Sequence, residues 1–271
     1  MGYESPMPVQ EEVIPFLLGD DNDVIALAQT GTGKTAAFGL PILQKIDVTT
    51  YHPQALVLCP TRELCLQIAD DLNDYSKYID NLKVLPVYGG SSIESQIKTL
   101  KRGVHVVVAT PGRLLDLMNR KTVDLSLVKN VIMDEADEML NMGFVKDVTR
   151  IIEATPDERQ MVLFSATTNQ DVLTIAWKYQ HDPIEVTVEA TKQDRPQIAQ
   201  YVISTEQNKK IDHLLYLLDA DVYQRVMIFC NTKFMTDRLT ERLKKEGYQA
   251  ECIHGDVKQS QRNVVMNDFR R

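Results

Sequence analysis

Ala28-Gln29-Thr30-Gly31-Thr32-Gly33-Lys34-Thr35 is the stretch of this sequence that decides the fold. It follows the apolar run Val24–Leu27, which predicts a buried strand, and it precedes Ala36–Leu40, which predicts the start of a helix. A strand, a glycine-rich turn ending in Lys-Thr and a helix form the arrangement that binds a nucleoside triphosphate. All eight residues are therefore candidates for nucleotide binding.

Each part of this turn has a chemical role in such a site. Gly31 and Gly33 allow the backbone to curl so that its N–H groups point at phosphate oxygens, and the helix N-terminus adds partial positive charge. Lys34 is expected to reach the β- and γ-phosphates, and Thr35 to hold Mg²⁺. The general pattern of phosphate-binding loops begins with glycine, whereas this sequence has Ala28 at that position. The departure narrows the set of protein families that this loop fits.

Composition excludes several classes of protein. The 271 residues are 44% hydrophobic and 25% charged, which is ordinary for a globular protein. No apolar run is long enough to span a bilayer, and the first residues do not form a signal peptide. The net charge of −8 argues against polyanion binding by bulk charge. Any nucleic-acid site must therefore be a local patch of basic groups and backbone N–H groups.

The cysteines and histidines do not indicate a metal site built by the protein alone. The four cysteines lack C-x-x-C spacing, and we expect them to be small buried hydrophobes in a reducing compartment: Cys59, Cys65, Cys230 and Cys252. Four histidines lack ligand spacing and are expected to pack or lie at the surface: His52, His105, His181 and His213. For His254 a structural role and a nucleic-acid contact are equally open.

Short apolar runs alternate with amphipathic stretches along most of the chain. The predicted strands are Val24–Leu27, Ala55–Cys59, Lys83–Tyr88, His105–Ala109, Asn130–Met133, Gln160–Phe164 and Ile184–Val188. The predicted helices between them include Glu63–Tyr78, Ile93–Lys101 and Gln170–Lys178. This α/β pattern predicts an open parallel sheet with helices on both faces, which binds ligands at the carboxyl ends of its strands.

A second, smaller unit is predicted after residue 188. Residues 189–197 are polar and lack apolar periodicity, so we interpret them as a linker between domains at 1–188 and 198–271. The second domain alternates three predicted strands with three helices: Ala199–Ile203, Gln207–Leu218, Val226–Cys230, Lys233–Glu246, Gln249–Ile253 and a last helix ending near Arg271. The pattern stops in mid-sheet, which predicts an incomplete lobe.

The acidic group Asp134-Glu135-Ala136-Asp137 follows the predicted strand Asn130–Met133. A phosphate-loop enzyme needs an acidic pair at such a strand end. Asp134 is expected to hold Mg²⁺, and Glu135 to orient or deprotonate the attacking water. Taken alone, the same residues would also suit the acidic first turn of a helix.

With these motifs in order, the chain resembles a DEAD-box ATP-dependent RNA helicase. Residues 134–137 spell the family name, and the family's own phosphate loop begins with alanine. Gly2–Gln10 resembles the family's Q motif, which implies adenine contacts from Tyr3 and Gln10. A carboxamide can pair with adenine N6 and N7. The resemblance implies two RecA-like lobes, ATP and Mg²⁺ as cofactors, and catalytic roles for Lys34, Asp134 and Glu135.

The resemblance also assigns RNA and coupling residues. It implies sequence-independent contacts to the RNA backbone by Pro60, Thr61, Arg62, Gly90, Thr110, Gly112, Arg113, Asn231, Gly255 and Asp256. It implies that Asp137, Ser165 and Thr167 couple hydrolysis to strand separation. We expect a cytoplasmic protein with no membrane partner, and the resemblance does not identify protein partners.

Two later motifs of the family, A-T-D-x-x-x-R-G and H-R-x-G-R-x-x-R, do not occur in these 271 residues. The second supplies an arginine worth about 10³–10⁵ in rate. We therefore expect this chain to bind nucleotide and hydrolyse it poorly, as the front part of an enzyme that unwinds short RNA duplexes. An ATP-gated RNA clamp is the alternative, which Glu135 disfavours. Gln10 and residues 134–137 disfavour a DNA helicase or a GTPase switch.

Overall fold

The computed structural model describes residues 4–19, 22–29, 31–188, 198–220 and 223–270. The chain divides into two compact units, Met1–Pro196 and Gln197–Arg271. The segment interpreted as a linker, 189–197, lies outside the described residues, as do Tyr3, Thr30 and Arg271. Within the described ranges, every helix is too short or too polar to traverse a lipid bilayer.

The first unit is built on one parallel sheet of seven strands. The strands are β1 (Val24–Leu27), β2 (Ala55–Leu58), β3 (Val84–Val87), β4 (Val106–Ala109), β5 (Asn130–Met133), β6 (Gln160–Ser165) and β7 (Ile184–Thr187). Their order across the sheet is β3-β4-β2-β5-β6-β1-β7. The predicted open parallel sheet is therefore confirmed, and each predicted strand is present to within about one residue at either end.

A helix that precedes β1 and the helices that connect the strands complete the described part of the first unit. They are α1 (Pro8–Leu18), α2 (Lys34–Lys45), α3 (Arg62–Tyr75), α4 (Ile93–Lys101), α5 (Pro111–Asn119), α6 (Ala136–Met139), α7 (Val145–Ile152) and α8 (Gln170–Tyr179). A π-helical turn, Leu140–Phe144, joins α6 to α7 and contains Gly143 at φ +90°. Positive φ is accessible to glycine without steric cost, so the chain can bend sharply there.

Two apolar cores lie on opposite faces of the sheet. One contains Leu56 and Leu58 of β2, with side chains from α5, α7 and α8. The other contains Ala55 and Val57, with side chains from α1, α2 and α3. Because successive strand residues point to opposite faces, both sets of β2 side chains are buried only when helices cover both sides. The predicted helices on both faces are confirmed.

The second unit corrects three of our predictions. None of the predicted strands at Ala199–Ile203, Val226–Cys230 and Gln249–Ile253 pairs as a strand in the described part of this unit. Tyr201, Val202 and Phe229 are 87%, 98% and 88% exposed. Apolar runs become parallel strands only when partners and covering layers bury both faces, and among the described residues of this unit only Leu239 and Leu243 are buried.

The helices of the second unit do form. Residues Gln207–Lys209 make a 3₁₀ turn that leads into α9 (Lys210–Asp219), and α10 (Lys233–Lys245) and α11 (Gln259–Arg270) follow. The Thr232 hydroxyl accepts a hydrogen bond from the Met235 N–H at 3.2 Å and caps α10. These helices match the predicted ones within two to three residues at their ends.

The cysteines behave only partly as predicted. Cys59 and Cys65 are buried and unpaired, as expected for small hydrophobes. Cys230 and Cys252 are only partly buried, so that prediction is wrong for them. The second unit buries too little apolar surface to enclose either thiol.

His105 is a fully buried histidine at the amino end of β4. Its Nδ1 accepts a hydrogen bond from the Lys83 N–H at 3.0 Å, and its Nε2 lies 3.2 Å from the Val48 carbonyl oxygen. The neutral ring with its proton on Nε2 satisfies both contacts. Burial lowers the pKa of His105, because the charged form loses its hydration, and the nearby Lys83 lowers it further.

This burial predicts a pH-dependent stability. The unfolded chain binds a proton at His105 below about pH 6.5, whereas the folded chain resists it, so the free energy of unfolding falls as pH drops through that range. We expect His105→Gln to weaken this dependence, measured by urea unfolding between pH 5.5 and 8. The exposed His52 provides the control. An identical pH profile for His105→Gln and His52→Gln would contradict the prediction.

Candidate active site

The predicted catalytic residues follow the carboxyl ends of neighbouring strands, so they lie along one end of the sheet. Strand β6 pairs with β1 on one side and with β5 on the other, with Leu27 opposite Ser165 and Met133 opposite Leu163. The chain leaves these strands at Ala28, Asp134 and Ala166. The Ala28 N–H donates to the Ser165 carbonyl oxygen at 3.0 Å, so the phosphate loop starts against the end of β6. Ligands of open α/β sheets bind at this edge.

The phosphate loop has the backbone shape that the sequence predicts. Gly31 and Gly33 have φ of +81° and +83°. The Thr32 hydroxyl donates to the Gln29 carbonyl oxygen at 2.8 Å and closes the turn, and α2 begins directly afterwards at Lys34. The loop therefore presents a helix N-terminus, which attracts phosphate.

Gln10 holds the phosphate loop against helix α1. Its side-chain amide Nε2 donates to the Gly33 carbonyl oxygen at 3.1 Å, and its Oε1 accepts from the Met7 N–H at 2.9 Å. Gln10 is 5% exposed. The structure thus gives this residue a second task besides the adenine contact implied by the resemblance, because it also fixes the position of Gly33.

A buried ion pair joins the phosphate loop to the acidic motif. Lys34 Nζ lies 3.4 Å from Asp134 Oδ1, and both side chains are more than nine-tenths buried. Burial raises the pKa of Asp134, and the adjacent Lys34 opposes that rise. The Glu135 N–H also donates to Oδ1, at 3.0 Å. Lys34 and Asp134, predicted from separate motifs, are therefore in direct contact.

Glu135 has an unusual backbone conformation. Its φ of +50° and ψ of 51° lie in the left-handed region, which non-glycine residues rarely occupy. Such a conformation costs on the order of 1–3 kcal/mol and persists only where surrounding structure imposes it. Burial raises the pKa of Glu135, and the neighbouring Asp134 raises it further. A carboxylate with a raised pKa is a better proton acceptor, which suits the predicted role.

The three predicted coupling residues form one hydrogen-bonded cluster. Asp137 Oδ2 accepts from both the N–H and the hydroxyl of Thr167, at 2.9 and 2.8 Å. The Ser165 hydroxyl donates to the Thr167 carbonyl oxygen at 2.6 Å. Asp137 is 4% exposed, whereas Thr167 is exposed, so the cluster lies where the buried strand ends reach the surface. They connect the acidic motif after β5 with the segment after β6.

The residues near the loop suit Mg²⁺ in their chemistry. Asp134 supplies a carboxylate and Thr35 a hydroxyl, and hard oxygen ligands of this kind, completed by water and phosphate, are those that Mg²⁺ takes. Asp71 of α3 is hydrogen-bonded to Thr35, while burial raises the pKa of the Asp71 carboxyl. Sequence reasoning missed Asp71, because nothing in Asp70-Asp71 distinguishes it from a solvated helix face.

Most of the first-unit residues expected to contact RNA line one pocket. A pocket of about 450 Å³ is lined by Pro60, Arg62, Gly89, Thr110, Gly112, Arg113, Asp116 and Phe144. Five of the predicted residues therefore share one surface, although they come from separate stretches. Phe144 and Asp116 also line it and carried no signal in the sequence. Thr61 and Gly90 adjoin lining residues in the chain.

The arginines of this pocket are held by protein contacts. The Arg62 guanidinium lies 4.6 Å from the centre of the Tyr88 ring, a cation–π geometry. Arg113 donates to the Ser91 carbonyl oxygen at 3.1 and 3.2 Å and to Gln96 Oε1 at 3.0 Å. Oriented guanidinium groups suit phosphate recognition. Arg113 also fixes the turn that contains Gly90.

The remaining predicted RNA residues lie in the second unit. Asn231 and Gly255 are exposed, and Asp256 forms an ion pair with Lys233 at 2.7 Å. Lys233 and the nearby His254 lower the pKa of Asp256. Asp256 is therefore a negatively charged carboxylate, which does not bind a phosphate group directly because both groups are anions.

Comparison with known proteins decides the family. The sequence model of the DEAD/DEAH box helicases matches residues 7–175, and that of the helicase conserved C-terminal domain matches residues 209–271. The chain belongs to the DEAD/DEAH box helicase family. It is 47% identical over 270 residues to the ATP-dependent RNA helicase DeaD of Mycobacterium tuberculosis, covering 100% of this chain and 47% of that protein.

Two further relatives agree with this assignment. The DEAD-box ATP-dependent RNA helicase CshA of Geobacillus kaustophilus is 45% identical over 270 residues, which cover 57% of that protein. A crystal structure of a DEAD box protein from Methanococcus jannaschii matches with a TM-score of 0.67 and 40% identity, covering 99% of this chain and 72% of that one. The chain thus spans about half the length of these curated relatives.

The two loop glycines provide a matched test of the site. A Cβ at Gly33 would lie 2.5 Å from Gln10 Nε2 and 2.8 Å from Met7 Sδ, whereas a Cβ at Gly31 has no atom within 4 Å. Both have the same positive φ, which costs a non-glycine residue about 1–2 kcal/mol. We expect Gly33→Ala to lower the free energy of unfolding by about 0.5–1.5 kcal/mol more than Gly31→Ala, because the Gln10 side chain must shift and its hydrogen bond to the Gly33 carbonyl is lost.

Urea unfolding followed by circular dichroism at 222 nm measures this difference. The Gly31→Ala variant serves as the control for backbone strain alone. Equal losses in the two variants would show that Gln10 and Met7 do not pack tightly against the loop.

Proposed function

We propose that this chain forms the nucleotide-binding part of an ATP-dependent RNA helicase that opens short duplexes locally. The observation that carries the proposal is the buried contact of Lys34 with Asp134, beside Glu135, at the carboxyl ends of β1 and β5. Membership of the DEAD/DEAH box helicases supports it, since several relatives are named ATP-dependent RNA helicases.

The loop binds the phosphates of ATP in this proposal. Backbone N–H groups around Gly31 and Gly33 and the N-terminus of α2 receive the phosphate oxygens, and Lys34 pairs with their charge. Gln10 contacts adenine while it supports Gly33. Thr35 and Asp134 hold Mg²⁺, which when bound neutralises charge that develops on the phosphates.

Glu135 activates the attacking water. Its raised pKa makes the carboxylate a stronger base. In the hydrolytic step, the water oxygen attacks the γ-phosphorus, the bond to the bridging β–γ oxygen breaks, and Glu135 accepts the proton of the water. ADP leaves with the electrons of the broken bond.

The cluster of Asp137, Thr167 and Ser165 couples ATP hydrolysis to the RNA-binding surface of the first unit. Asp137 is two residues from Glu135, and its bonds to Thr167 connect the two strand ends. The pocket lined by Arg62 and Arg113 binds the RNA backbone without reading its sequence. Contacts to 2′-hydroxyls would select RNA over DNA.

These 271 residues are proposed to bind Mg·ATP well and to hydrolyse it slowly. They lack the H-R-x-G-R-x-x-R pattern, and an arginine supplied by that motif stabilises the transition state by about 4–7 kcal/mol, or about 10³–10⁵ in rate. The conserved C-terminal domain model matches only residues 209–271. An ATP-gated RNA clamp is the alternative function. The two functions differ in their need for Glu135, because a helicase requires it for hydrolysis and a clamp does not.

The role of Glu135 has a direct test. We expect Glu135→Gln to reduce single-turnover hydrolysis of Mg·ATP by about 10²–10⁴, because an amide cannot accept the proton. Enzyme is held in excess over labelled ATP, with single-stranded RNA present, so that slow turnover can be measured. ADP affinity should remain close to that of the unmodified chain.

The exposed neighbour Glu138 provides the matched control, since Glu138→Gln removes the same charge from the same helix start. It should leave the rate within about threefold, the range expected of a surface substitution. Equal rates in the Glu135→Gln variant and the unmodified chain would favour the clamp.

A further inference from the structure

Three side chains of the second unit bring different ligand atoms together. Asp237 lies on α10, while Cys252 and His254 lie on the segment before α11. The carboxylate oxygen, the sulfur and the imidazole nitrogen are all within 4.8 Å of one another. Asp237 Oδ1 is 2.9 Å from His254 Nε2 and 3.6 Å from Cys252 Sγ. In the described part of the chain, no other group of three such ligands is this compact.

These separations fit tetrahedral coordination by one metal ion. With zinc–ligand bonds of about 2.0 Å to nitrogen and oxygen and about 2.3 Å to sulfur, ideal tetrahedral angles place the N and O atoms about 3.3 Å apart. The same geometry places S and O about 3.5 Å apart. The observed 2.9 and 3.6 Å are within about 0.4 Å of those values.

The donor set selects the metal. A thiolate, an imidazole and a carboxylate together prefer Zn²⁺ over Mg²⁺ or Ca²⁺, which favour oxygen alone. One thiolate and one carboxylate also cancel the charge of a divalent ion. The Asp237 side chain is 52% exposed and that of His254 13%, so solvent can enter from the Asp237 side and supply a fourth ligand.

The segment that carries Cys252 and His254 is anchored independently of any metal. Arg262 of α11 donates to the carbonyl oxygens of His254 and Gly255 at 2.8 and 3.0 Å. Lys233 of α10 pairs with Asp256 at 2.7 Å. These contacts hold the segment beside α10, so a metal would not have to order it. Preorganisation of this kind favours binding, since less conformational freedom is lost.

We propose that Asp237, Cys252 and His254 form a Zn²⁺ site. On binding, the Cys252 thiol loses its proton to solvent and the sulfur becomes a ligand. His254 binds through Nε2, and the proton that Nε2 shared with Asp237 moves to Nδ1, which gives up its 3.4 Å hydrogen bond from the Asp256 N–H. The metal thus replaces the hydrogen bond between His254 and Asp237. The site is independent of the proposed helicase function.

Only a weak signal for this site is present in the sequence. Cys252 and His254 are two residues apart, but Asp237 is 15 residues before Cys252. Spacing alone therefore did not indicate a metal site. Cys252 is only partly buried, whereas Cys59 and Cys65 are buried. Its sulfur is therefore accessible to a metal ion.

Cobalt(II) is a suitable probe, because tetrahedral Co²⁺ bound to thiolate gives an intense charge-transfer band in the near ultraviolet and visible d–d bands. We expect Co²⁺ titrated into the reduced 271-residue chain to produce both at one equivalent. Zn²⁺ should bleach them, and millimolar Mg²⁺ should not. Cys252→Ser should abolish the charge-transfer band, and Asp237→Asn should weaken binding at least tenfold.

The other partly buried cysteine of this unit, Cys230, gives the matched control. Cys230→Ser should retain the bands at the same intensity and midpoint. Circular dichroism confirms that each variant keeps its helices. Absence of the charge-transfer band in the unmodified chain, or its persistence in Cys252→Ser, would overturn the proposal.

Discussion

The buried contact between Lys34 and Asp134 is the interaction on which the candidate active site depends. Each charge is largely removed from water, so each is stabilised mainly by the other. Removing one partner of such a buried pair typically lowers the free energy of unfolding by about 3–5 kcal/mol. The pair links the start of α2 to the end of β5. Phosphate would enter a site in which Lys34 is already positioned beside Asp134.

The strand order makes this contact possible. Residues 27 and 134 are far apart in sequence, but β6 lies between β1 and β5 and holds both in register. The same order brings Ser165 and Thr167 next to Asp137. Nucleotide chemistry and the proposed coupling cluster are thus consequences of a single sheet topology, in which one strand separates the two motifs.

Much of the first unit could be predicted from sequence because its signals are local. Buried parallel strands are continuous apolar runs, so β2 and β4 could be read directly, and the loop glycines specify their own backbone shape. The contact of Gln10 with Gly33 could not be predicted, since it depends on how α1 packs. Nor could the hydrogen bond of Asp71 with Thr35, which depends on the approach of α3 to α2.

The strands of the second unit, by contrast, could not be predicted from its sequence. Val226–Cys230 has the composition of a strand, yet Phe229 is 88% exposed and the segment has no strand partner in the described residues. Strand formation is a property of pairing and burial, which composition does not guarantee. Helices α10 and α11 formed as expected, because their hydrogen bonds are local.

Isothermal titration of Mg·ADP into the 271-residue chain tests the central claim most directly. Lys34→Ala is compared with Lys45→Ala, which removes a lysine from the opposite end of α2, where Lys45 Nζ donates to Gln160. The predicted result is saturable one-to-one binding that Lys34→Ala weakens by about 10- to 150-fold, the equivalent of one charged hydrogen bond, and that Lys45→Ala leaves unchanged. Equal affinities in a folded Lys34→Ala variant and the unmodified chain would contradict the assignment of the nucleotide site.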